Sequence, residues 1–141
     1  MHSEHLSNLH PGWVVGAWLV AVAVTSAAFI AFVGVGLLPP EGPRSVAWTF
    51  LAAAVGFFAG GLFVGLRWSD APILHGAAIT FLSVVVWLVG ILLLPPGLGG
   101  GGVGLSAPVV LGMILVQLTA SVSGGLVGRH MVRHGEASPL D

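Results

Sequence analysis

The chain has 141 residues, 56% of them apolar and 6% charged, with a mean hydropathy of +1.04 and a formal net charge of −1. A soluble domain carries about 25% charged residues, so this chain cannot cover itself with polar groups in water and its solvent is lipid. The charge balance excludes a basic nucleic-acid surface, and the absence of cysteine excludes disulfides, thiolate metal sites and a cysteine nucleophile.

The N-terminal stretch MHSEHLSNLH has no basic n-region, and the apolar block after it is too long for the h-region of a cleaved signal peptide. Crossing ~30 Å of hydrocarbon takes about 20 helical residues. Four blocks reach that length, and the sequence predicts spans at about 13–38, 45–66, 72–94 and 108–128. Pro39-Pro40 and Pro95-Pro96 stop the first and third, because proline cannot continue a helix. Ser45 and Ser106 stand where N-caps of the second and fourth spans are expected. Trp13, Trp48 and Trp68 fall near span ends, where an amphipathic ring prefers the membrane interface. Trp18 and Trp87 lie deeper, which points to packing. The expected fold is thus all-α, a single integral membrane domain forming a four-helix bundle.

Orientation follows from arginine. With four spans, both termini and the middle loop share one side, and that side holds Arg67, Arg129 and Arg133 against Arg44 on the other. Both termini are therefore expected in the cytoplasm. The two halves also echo each other. GVGLLPP ends the first span and GILLLPP the third; AGGLFVGLRW ends the second and SGGLVGRHMV the fourth. This pattern predicts two tandem hairpins in the same orientation, a parallel repeat.

Lipid tails are as apolar as leucine, so helices associate in a membrane by close packing at small residues. Residues four apart share a helix face. Ala52, Gly56 and Gly60 form such a face on the second span, with Gly61 and Gly65 beside it. Gly112, Ala120, Gly124 and Gly128 form one on the fourth, and Ala23, Ala27 and Ala31, then Gly34, one on the first. These residues are expected to pack helices, within the chain or against another subunit.

The chemistry-bearing residues are few. Every carboxylate lies outside the spans, so the intramembrane acid that a proton-coupled transporter requires is missing. Serine and threonine satisfy themselves on the preceding turn's carbonyls. Gln117 cannot do so easily, and is expected to be a polar clamp between helices or a ligand group. His75, just inside the third span, is the other candidate; with His130 at similar depth it could hold a haem or pigment. No metal-ligand spacing and no nucleophile–base pair accompanies it, so no cofactor and no enzymatic activity is expected. In the turn between hairpins, Arg67 is expected to snorkel to phosphates, Trp68 to sit among headgroups, and Asp70 (or Ser69) to cap the third helix.

The glycine-rich end at Gly61 to Gly65, followed by Leu74 to Ala77 (LHGA), resembles a group of small prokaryotic four-helix membrane proteins in which a G-G-x-x-x-G helix end precedes an L-H-G-A helix start. The likeness covers about half the chain. It implies a four-helix fold and prokaryotic origin and supplies no activity. Together these features predict a non-enzymatic accessory or scaffold subunit of a prokaryotic cytoplasmic membrane, associating with itself or a larger complex. The alternatives are a small oligomeric transporter or channel and, behind it, a haem or pigment carrier.

Overall fold

A computed structural model describes residues 9–37, 43–67, 71–93 and 106–136. It contains four α-helices: α1 (Pro11–Gly34), α2 (Pro43–Arg67), α3 (Pro72–Leu93) and α4 (Ala107–Glu136). Each is long and apolar enough to cross a membrane.

Proline sets the start of every helix. Pro11, Pro43 and Pro72 open α1, α2 and α3, and Pro108 follows the first residue of α4. A proline here loses no hydrogen bond, because the first turn's N–H groups have no partner in the helix. Ser45 therefore lies inside the first turn of α2 and is not its N-cap. Its carbonyl accepts the Thr49 hydroxyl at 2.8 Å. Ser106 does stand at the N-cap position: its carbonyl takes the Val109 and Val110 N–H groups at 2.9 and 3.2 Å.

Two helix ends differ from the expected spans. The first helix stops at Gly34, short of the proline pair. Gly36, at φ +73°, reverses the chain. Its N–H donates to the Val33 carbonyl at 3.0 Å, and the Leu37 N–H to the Phe32 carbonyl at 2.9 Å. This paired closure on a left-handed glycine is the Schellman ending. The fourth helix runs past Gly128 to Glu136, because nothing between them breaks a helix. Arg133 and His134 sit in its last turn, where positive charge favours the dipole.

The contacts fix the topology. Gly60 meets Ala17 while Gly56 meets Ala21 and Thr25, so α1 and α2 run antiparallel. Gly61 meets Ser121 and Gly65 meets Gly125, so α2 and α4 run parallel. Gly76 meets Ser121 and Val122 while Pro72 meets Gly125, so α3 and α4 are antiparallel. The second helix is central, with 44% of its span buried against 17% for each of the others. Because the helices are apolar all round, the interior is marked by contact between helices, with alanine and glycine at the closest crossings. The core holds Ala17, Ala21, Ala52, Ala53, Val64 and Ile79, while Leu19, Ile30, Phe81, Leu92 and Leu111 face outward.

Candidate functional site

Gly61, Gly65, Gly124 and Gly128 are brought together where α2 meets α4, toward the Arg67 end of the bundle. A Cβ added to Gly61 would fall on the Ser121 carbonyl, and one on Gly65 on the Gly125 carbonyl. The contact is reciprocal, since a Cβ on Gly124 would fall on the Phe58 carbonyl and one on Gly128 would come within 2.7 Å of the Leu62 carbonyl. The two backbones touch directly along this stretch. Gly56 and Gly60 do the same toward α1. Ala52 is fully buried, Gly112 faces the Phe50 ring, and Ala120 is partly buried beside the core.

A small polar cluster closes the α3–α4 contact. Ser121, fully buried, donates its hydroxyl to the Gly76 carbonyl at 2.9 Å or to the Leu118 carbonyl of its own helix at 3.1 Å. The Thr80 hydroxyl lies 3.1 Å from the Ser121 hydroxyl and 3.3 Å from the Gly76 carbonyl. The bridging between helices expected of Gln117 is thus made here by Ser121 and Thr80. Both had a local solution available, as Thr119 shows by bonding the Leu115 carbonyl of its own helix at 2.8 Å. Glycine at 76 is what changes the outcome: it draws α4 close enough for a short hydroxyl to reach across. Ser121→Ala is expected to cost about 1 kcal/mol, the usual size of such a bond in a membrane bundle, measured by reversible unfolding in mixed micelles.

His75 is fully buried at the start of α3. Its Nδ1 lies 2.8 Å from the Ala71 carbonyl, to which it donates, and its Nε2 accepts the backbone N–H of His10 at a long 3.4 Å. These two bonds orient the ring and tie the segment before α1 to α3. Both ring nitrogens are turned to the protein's own backbone. His130 is exposed and its ring packs on His134 at 4.0 Å between centroids. Among the described residues no group of three or more His, Asp or Glu side chains could hold a metal ion.

Arg67 is exposed at the end of α2, its guanidinium 5.8 Å from the centre of the Trp13 ring. Within ~6 Å of a ring face such a cation is attracted by the ring quadrupole. Trp68, Ser69 and Asp70 lie outside the described residues. Trp18 packs against the core, as its depth suggests.

The other half of the bundle opens. There a crevice of about 360 Å³ lies between the first half of α2, the second half of α3 and the first half of α4. Val46, Val84, Val109, Val110, Met113 and Ile114 form its apolar wall. Ser45, Thr49, Ser83, Trp87 and Gln117 supply its polar groups. Trp87, deep in the sequence reading, is 39% exposed and lines this opening. Gln117 makes no hydrogen bond to another described residue. The crevice was not legible in the sequence, since its wall residues read as ordinary span. An apolar wall with hydroxyls, an indole and one carboxamide is the usual make-up of a small-molecule site.

No protein-family model, curated protein or solved structure matches this chain.

Proposed function

We propose that this chain is a non-enzymatic integral membrane protein, a small accessory or scaffold subunit that associates with copies of itself or with a larger membrane complex. One observation supports the reading. The glycine faces of α2 and α4 are spent inside the bundle, whereas Ala23, Ala27, Ala31 and Gly34 of α1 remain exposed on the outside. Close approach at small residues is what drives helices together in lipid, so this stripe suits a further helix. Because the chain has no cysteine, an Ala27→Cys variant reports on that face alone. Oxidation in native membranes is expected to shift it to a higher-mass adduct, with Phe81→Cys on α3 as the lipid-facing control. A 14.3 kDa monomer for both variants would remove the support.

The setting proposed is a prokaryotic cytoplasmic membrane with both termini cytoplasmic. Its support is the arginine bias of Arg67, Arg129 and Arg133 against Arg44, and the likeness of Gly61 to Gly65 and Leu74 to Ala77 to small prokaryotic four-helix proteins. A tandem duplication is proposed as the origin of the hairpins. The reciprocal contacts favour it: Gly61 with Ser121 is mirrored by Gly124 with Phe58, and Gly65 with Gly125 by Gly128 with Leu62, every counterpart separated by the same interval.

The crevice favours a second reading, a small oligomeric transporter or channel. Flux in reconstituted vesicles that is lost in Gln117→Leu would support it, and silence across a broad ion panel would dismiss it.

A further inference from the structure

We infer that the crevice between α2, α3 and α4 is a binding site for one uncharged amphiphile, a molecule with a hydroxyl or carbonyl group on an apolar tail. The inference holds whether or not the chain is a subunit or a transporter.

The crevice has the size and make-up of a ligand site. Its volume of about 360 Å³ falls within the ~300–1,000 Å³ of small-molecule pockets, which are mainly apolar with a few placed polar groups. Those groups lie at a telling depth. Gln117 is ten residues into α4, and Ser83 ten residues from the end of α3. At 1.5 Å per residue both sit ~15 Å from that end of the bundle, which is the middle of a ~30 Å hydrocarbon layer.

Gln117 is half-buried, and at the middle of the hydrocarbon an unpartnered carboxamide costs about 1–3 kcal/mol. Ser121 and Thr80 satisfy each other just beyond it, and Thr49 is satisfied on the Ser45 carbonyl. Gln117 has no hydrogen bond to a described residue. A carboxamide both donates and accepts, so a hydroxyl or carbonyl on the occupant completes it.

Charge and access narrow the class. No described residue lining the crevice carries a charge, and an unpaired ion at this depth is strongly disfavoured, so the occupant is neutral. Trp87 of the crevice is 39% exposed, and Val85, Val86, Leu88 and Val89 in the same half of α3 are exposed beside it. An apolar tail therefore leaves sideways into lipid and needs no aqueous route.

The test uses the full chain in lipid nanodiscs and a monoacylglycerol bearing a diazirine beside its glycerol group. The same reporter on a phosphatidylcholine and on a free fatty acid serves for comparison. Irradiation followed by peptide mass spectrometry should place saturable monoacylglycerol label at residues 83–87 and 113–117, with little from the other two probes. Gln117→Leu, which keeps bulk and removes the amide, should lower the label about fivefold, as loss of one neutral hydrogen bond does. Val110→Phe, which takes up crevice volume and leaves the Gln117 carboxamide in place, should lower it as well. Equal labelling by phosphatidylcholine would show that a bilayer chain merely fills the space. That result, unsaturable labelling, or label unchanged in both folded variants overturns the inference; if Gln117→Leu fails to fold, Val110→Phe decides.

Discussion

Replacing Gly61 and Gly124 together by valine is expected to separate α2 from α4 and unfold the bundle. At each position the new Cβ meets a carbonyl of the facing helix, Ser121 in one case and Phe58 in the other. No rotamer relieves a clash with backbone, so the helices must move apart. Overpacking one site costs about 1–3 kcal/mol. Two at one crossing should exceed about 3 kcal/mol, because separation also removes the Gly65–Gly125 and Gly128–Leu62 approaches. Gly90→Ala is the control: its Cβ would meet nothing within 4 Å, and stability should stay within about 0.5 kcal/mol. Reversible unfolding in mixed micelles, followed by circular dichroism, separates these outcomes.

The second large effect concerns His75. The His75→Ala variant should lose about 2–4 kcal/mol, since it empties a fully buried site and removes the ring's bonds to Ala71 and His10. The His75→Leu variant nearly keeps the volume and loses the ring's bonds to Ala71 and His10, so it should lose about 1–2 kcal/mol. The gap between the variants measures packing against hydrogen bonding. The visible spectrum of all three proteins should be flat, because the ring nitrogens already serve the backbone. A Soret-type band in the parent that vanishes in either variant would instead make His75 a ligand.

Which parts of this fold could be read from sequence depended on where the signal lay. Span number and type were legible because runs such as 13–34 and 72–94 contain almost nothing but apolar residues, and lipid tolerates only helices or closed barrels. The packing faces were legible because Gly56, Gly60, Gly61 and Gly65 recur at helical spacing. Their partners were not: one stripe of glycines fits another helix of the same chain as well as a neighbour. Gly36 was hidden among other glycines, and only its positive φ shows that it ends α1 ahead of the prolines. Ser121 was passed over because a membrane serine usually bonds its own helix. It reaches Gly76 only because α3 and α4 touch there, a tertiary fact with no local signature. The crevice is tertiary in the same way, since Val84, Val110 and Met113 differ from lipid-facing residues only in what stands opposite them.

The assignment of the glycine faces to the inside of one chain can be tested by solid-state NMR in bilayers. Protein carrying ¹³C at glycine Cα and serine C′ should show a Gly61 Cα–Ser121 C′ cross-peak. The peak should persist, scaled only by concentration, when labelled protein is diluted tenfold with unlabelled protein before reconstitution. A peak that disappears on dilution would place the contact between two chains, and a peak absent at every ratio would mean that α2 and α4 do not cross there.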